Sequence, residues 1–156
     1  MLAGLDDLFP VMEQYLNEGK EVTFTITGKS MAPTLRHGKD QVTLARKAPP
    51  YKRGDLLFYR RDSGAFVLHR VLRAKDGAYV MCGDGQISPE EGVEDRHVLA
   101  VSTAIIRDGR RLSAKAFSQR VWVGAWLALF PLRRYLLAAL RRMRPEYFVL
   151  PDRENK

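Results

Sequence analysis

Between residues 22 and 106 the chain is a succession of short extended runs cut by turn signals, and that pattern leaves little room for anything but a β fold. Val22-Thr23-Phe24-Thr25-Ile26-Thr27 alternates with period two and is β-branched at every position but Phe24. Similar runs occupy 41–46, 55–60, 65–74, 77–82 and 97–106. Pro49-Pro50, Arg53-Gly54-Asp55, Asp62-Ser63-Gly64, Asp76-Gly77 and Gly83-Asp84-Gly85 separate them. Six strands with no helical pattern between them predict a mainly β domain on a twisted antiparallel sheet. Asp76-Gly77 predicts a hairpin joining its two neighbours. Arg53-Gly54-Asp55 reads as a structural turn, since glycine supplies dihedrals that other residues resist.

Helical periodicity is confined to the two ends. Leu5, Leu8, Phe9, Met12 and Leu16 recur at three- and four-residue spacing, which predicts a short amphipathic helix over 5–18 despite Pro10. Asp6, Asp7 and Glu13 interrupt this segment and no cationic leader precedes it, so it reads as neither signal peptide nor signal anchor. Near the other end, Val121–Leu132 is about half the roughly 20 apolar residues that a spanning helix needs. Pro131 should kink or restart the helix. Beyond it, positions 133, 134, 141 and 142 project on one side and Leu132, Tyr135, Leu136, Ala139, Leu140 and Met143 on the other. Leu137 and Ala138 blur the division. The expected organisation is a helix over 1–20, a β domain over 21–112, a basic, aromatic-rich helical segment over 113–145, and a tail over 146–156.

Charge sharpens that division. Residues 107–156 carry 12 of the 26 basic side chains and 4 of the 18 acidic ones, so the whole +8 surplus lies there and the first 106 residues are neutral. A uniformly basic nucleic-acid-coating domain is excluded, and no nucleic-acid partner is expected. Arginines beside Trp122, Trp126, Leu and Tyr suit a helix lying in a membrane interface. A helix that caps the core or docks on a partner protein fits the same residues. The single cysteine, Cys82, excludes a disulfide framework and a cysteine-rich metal site. No metal or cofactor is expected.

Gly28-Lys29-Ser30 is not a phosphate loop, because position 23 is Thr and Met31-Ala32-Pro33 follows the serine. The stretch reads instead as a strand delivering Ser30 onto a tight turn. Such a turn can expose a hydroxyl while aiming backbone N–H groups at one point, as an oxyanion hole requires. It is equally the ordinary place for a turn serine. A serine nucleophile needs a base. His69 lies in Phe66-Val67-Leu68-His69-Arg70-Val71-Leu72, where a histidine is either a bonded sheet residue or a base oriented by its strand. His37 and His97, in charged surroundings, read as surface residues.

Taken in order, Gly28-Lys29-Ser30-Met31-Ala32-Pro33-Thr34-Leu35, Arg53-Gly54-Asp55, Val67-Leu68-His69-Arg70-Val71, Gly83-Asp84-Gly85 and Glu94-Asp95-Arg96 resemble the serial boxes of the type I signal peptidases and the LexA-type repressor peptidases. The resemblance covers about residues 22–106. A histidine in the third box is similar to the Ser-His type found in the endoplasmic reticulum, in archaea and in sporulation. The resemblance implies a signal-peptidase/LexA-like β fold, with Ser30 as nucleophile and His69 as general base. It also implies an acid orienting the imidazole, Asp95 first and Asp84 second. Gly85–Glu94 is longer than the corresponding stretch of the histidine-type members. Gly28 stands where many signal peptidases carry a hydroxyl residue, as in the repressor type.

The implied activity is a serine endopeptidase cutting a leader or signal-like peptide from a dedicated precursor. Small side chains would flank the cut bond in an extended, β-pairing pose. Ala3-Gly4 resembles the bond that repressor-type relatives cut in themselves. The expected location is cytoplasmic, with peripheral attachment to the inner membrane face through 113–145 as one option. The competing reading is a non-catalytic peptide-binding or assembly module on the same scaffold, docked to a partner or a membrane through its C-terminal helix. With a base at histidine's ordinary pKa, rate should fall below roughly pH 6.5.

Overall fold

The computed structural model describes residues 5–148, and the β-rich middle of the chain forms one open, eight-stranded antiparallel sheet. The six expected strands are present as β1 (Val22–Thr25), β2 (Gln41–Ala45), β3 (Leu56–Arg60), β4 (Phe66–Lys75), β5 (Ala78–Cys82) and β7 (Val98–Arg107). Two more were not read from the sequence, β6 (Glu90–Glu94) and β8 (Arg110–Ser113). Their runs, Glu-Glu-Gly-Val-Glu and Arg-Arg-Leu-Ser, are too charged to look like strands; both are borrowed into the sheet by an apolar neighbour, β5 for β6 and β7 for β8. The order is β1-β2-β7-β3-β4-β5-β6, with β8 continuing along β7. The Asp76-Gly77 hairpin joins β4 to β5 with both residues at positive φ.

β3 lies at the centre, and Leu56-Leu57-Phe58-Tyr59 is buried on both faces, which is why it reads as a continuous apolar run. Leu56 and Phe58 face one core, shared with Ile26, Met31, Val42 and Leu44. Phe9, Met12 and Leu16 of α1 (Leu5–Asn17) cover that core. The helix matches its predicted span with Pro10 inside it, while Leu8 of the predicted apolar face stands 48% exposed. Leu57 and Tyr59 face a second core with Tyr51, Val71, Tyr79 and Met81.

The C-terminal segment forms α2 (Phe117–Ala128) and α3 (Arg133–Met143), bent by 55° across a short turn of 3-10 helix that contains Pro131. No single helix among the described residues is long and apolar enough to cross a membrane. α2 rests on the β body through Val123 and Leu127, which close over Gly54. On α3 the predicted faces exchange places in part. Arg133 and Leu137 are the buried anchors, each 1% exposed, while Tyr135 and Met143 face outward. The reason is local: the Arg133 guanidinium sits over the rings of Trp126 and Phe130, at 5.1 and 4.7 Å, and donates to the Gly83 carbonyl at 3.5 Å. Cation–π contact and that bond accept a charge that a helical wheel assigns to solvent.

Candidate functional site

Ser30 opens the turn that follows β1. Gly28 adopts φ +102°, a conformation costly for any residue with a Cβ, and its N–H donates to His37 Nδ1 at 2.8 Å. The Ser30 carbonyl accepts from Gly85 N–H at 2.8 Å, and Thr34 Oγ1 donates to both the Met31 carbonyl and Asp84 Oδ2. Residues 83–85 thus clasp the serine turn from below. The fit needs glycine, since a Cβ on Gly85 would stand 2.7 Å from Ala32 O and 2.8 Å from Lys29 O. What the clasp leaves open is telling: among the described residues neither the hydroxyl nor the N–H of Ser30 has a hydrogen-bond partner.

His69 lies on β4 directly across from Leu57, so its ring shares a sheet face with Tyr59, the diagonal neighbour on β3. His69 is 3% exposed, and its Nδ1 is 3.3 Å from Tyr59 Oη. Tyr59 Oη donates to Glu90 Oε2 at 2.7 Å, so its lone pairs face the imidazole and Nδ1 is the donor of that pair. Nε2 is left as the nitrogen bearing a lone pair, without a partner and not sealed from solvent. Ser30 and His69 line the same cavity of about 300 Å³, walled by Phe24, Ile26, Phe66 and Leu68.

The electrostatics of this group follow from burial and one ion pair. Arg61 clamps Glu90 with Nε to Oε1 at 2.6 Å and Nη2 to Oε2 at 2.7 Å, which holds the carboxyl below its usual range. Burial, then the Glu90 bond, raises the Tyr59 phenol well above its ordinary value, so it remains a neutral donor. Burial pushes His69 down to about 4, and the Glu90 carboxylate 3.9 Å from Nδ1 opposes that shift.

The two acids expected from the sequence lie elsewhere. Asp84 is fully buried and takes Arg70 through Nε at 3.0 Å and Nη2 at 2.7 Å. Its other partner is Thr34, so it ties β4 to the serine turn rather than bonding the imidazole. Asp95 accepts from Tyr79 Oη at 2.5 Å at the far side of the second core, and burial, then that bond, pushes the Tyr79 phenol up to about 12. The acid beside His69 is Glu90, a residue that sequence reasoning missed along with Tyr59 and Arg61. One signal was available for Tyr59: pairing 55–60 with 65–74 through Asp62-Ser63-Gly64 puts positions 59 and 69 on one face. His97, read as a surface residue, is buried; it accepts the Glu94 N–H at Nδ1 and meets Asp62 at Nε2, capping the turn before β7. His37 is half-buried as a support for Gly28. The Ala3-Gly4 bond lies outside the described residues, and among these no three His, Cys, Asp or Glu side chains converge as a metal site.

Comparisons of the chain with family models, with curated proteins and with solved structures each found no match.

Proposed function

We propose that this chain is a serine endopeptidase of the signal-peptidase-like kind, with Ser30 as nucleophile and His69 as general base. One observation carries the reading: Ser30, whose hydroxyl is unpartnered, and His69, whose Nε2 is unpartnered, line one cleft, while the other imidazole nitrogen is held by a hydroxyl bonded to a carboxylate. Those are the parts that acyl transfer needs. The ordered boxes of the sequence, and a nucleophile turn that leaves the first strand of one antiparallel sheet, support the same kinship.

In this mechanism His69 Nε2 removes the Ser30 proton as Oγ bonds to the substrate's carbonyl carbon. The carbonyl oxygen becomes an oxyanion within reach of the free Ser30 N–H. The imidazolium so formed is stabilised by Glu90 through Tyr59. It gives its proton to the departing amine as the C–N bond breaks, leaving an acyl ester on Ser30. Water, deprotonated by the again neutral His69, then hydrolyses the ester and restores the hydroxyl. β4 supplies a rail for the substrate, because Phe66–His69 pairs with β3 on one edge and β5 begins its pairing only at Arg70. An extended peptide can bond to that open edge.

The helical segment 113–145 supports a peripheral site of action. Its inner side packs on the β body, while Phe117, Val121, Trp122, Leu132 and Tyr135 stand 49–83% exposed beside basic residues, a combination suited to a lipid interface. The test of the catalytic reading is cleavage of candidate precursors by wild-type, Ser30→Ala and His69→Ala proteins. Both variants should lose cleavage. Wild-type rates in both would sink the assignment. Peptide binding with no hydrolysis by the wild-type chain would favour the binding-module reading instead.

A further inference from the structure

A second cavity, of about 480 Å³, opens beside the Ser30–His69 cleft and shares Arg61 and Gln86 with it. α3 forms its outer wall with Arg134, Leu137 and Arg141, and the loop of Gly85–Ser88 together with Glu90 forms the inner one. Leu137 is buried and fixes the helix, so the two arginines are presented from a settled backbone. Arg61 is already satisfied by Glu90, whose two oxygens are both occupied. Arg134 and Arg141 have no carboxylate partner among the described residues. Each instead lies over an aromatic ring, Arg134 at 4.5 Å from Tyr135 and Arg141 at 5.3 Å from Phe148. Stacking restrains a guanidinium and leaves its edge N–H groups free for a carboxylate.

We infer that this groove binds an acidic segment of the peptide whose bond lies over Ser30. The inference rests on the peptidase reading in taking a peptide as the occupant. Arg134 and Arg141 are seven residues apart on one helix, about 10 Å at 1.5 Å per residue. In an extended peptide the side chains of one face recur every second residue, so carboxylates two or four positions apart are separated by about 7–13 Å, a range that brackets this distance and that flexible arginine stems can meet. Two carboxylates at that spacing match the two guanidiniums, and the shared wall at Arg61 and Gln86 lets one strand run from the groove into the cleft. Hydrophobic selection at the cut bond and charge selection beside it would together define a dedicated precursor, which the apolar cleft alone would not.

The test uses the full chain carrying Ser30→Ala and short fluorescein-labelled peptides with an alanine-rich centre. In one pair of peptides glutamates or glutamines precede the centre, and in a second pair they follow it. Anisotropy at low salt should show one glutamate peptide binding about tenfold tighter than its glutamine counterpart, the preference shrinking as salt is added. In Arg134→Gln/Arg141→Gln on the same background the two should bind alike, with an unchanged Tm, because both side chains are exposed. Equal affinities in the parent, or an undiminished preference in the double variant, would overturn the inference. So would an intact peptide preference with lost flotation on phosphatidylglycerol vesicles, which would give these arginines to a lipid surface. Cleavage is read separately: a wild-type chain that cuts nothing yet keeps the preference loses the hydrolase reading and retains the groove.

Discussion

His69 offers the most direct physical test, because it needs no substrate. In an unfolded chain its imidazole titrates near 6.5, whereas in the fold burial lowers it to about 4. The native state therefore binds fewer protons than the unfolded state between those values, and stability falls as pH falls through that window. At 1.36 kcal/mol per pKa unit, the stabilisation lost between neutrality and about pH 4.5 is about 2–3 kcal/mol. Carboxylates and the other histidines also contribute, so the informative quantity is a difference. Urea unfolding of wild-type and His69→Gln proteins at the two pH values isolates it, since every other group titrates alike in both. The wild-type chain should lose about 2–3 kcal/mol more than the variant. Equal losses would mean that His69 titrates normally, and the buried, neutral base would have to be abandoned. The same shift moves the acid limb of the rate profile from roughly pH 6.5, the value taken from the sequence, to about 4.

Tyr59→Phe and Glu90→Gln should each lower kcat about 10–100-fold with little change in KM, because they act on the imidazolium and not on binding; a kcat as high as that of Asp95→Asn would remove the Tyr59–Glu90 pair from the mechanism. Gly83→Ala drives a Cβ into the Ser30 carbonyl, so unfolding free energy should fall by about 1–3 kcal/mol and cleavage should collapse. Asp84→Asn breaks a buried ion pair and should cost about 3–5 kcal/mol in denaturant titration, far more than Asp95→Asn at its exposed site. Phe117→Ser/Trp122→Gln should weaken flotation on anionic vesicles without changing Tm, and unchanged flotation would remove α2 from any lipid interface.

The sheet was legible where side-chain chemistry agrees with strand pairing. β1, β3 and the Asp76-Gly77 hairpin each announce themselves by alternation, by a doubly buried run or by turn chemistry. β6 does not, since three of its five residues are glutamates. It forms because β5 offers a free edge, and a register shift between Tyr79 and Met81 places Glu90 opposite Met81 and turns it inward. Glu90, the carboxylate beside the imidazole, lies in that strand, inside the stretch between residues 85 and 94 whose extra length the sequence shows. Ser30 and His69 were readable as candidates because each stands in a distinctive local pattern. Their support was not, because Tyr59 and Glu90 are 31 positions apart and meet only across the folded sheet. Arg133 was misplaced for a related reason: helical periodicity has no means of anticipating an aromatic cage made by the preceding helix.

That cage also ties the serine turn to α3. β7 lies between β2 and β3 and so joins the strand pair nearest Ser30 to the strand pair that carries His69. Yet the Gly83 carbonyl, at the head of the loop that grips the serine turn, receives a donor from a side chain near the far end of the chain. A chain ending before α3 possesses Ser30 and His69 without this fastening of the loop beneath the serine turn. The geometry of the serine turn thereby depends on α3 as well as on the sheet, so removing α3 should loosen the loop at Gly83 and the turn it holds.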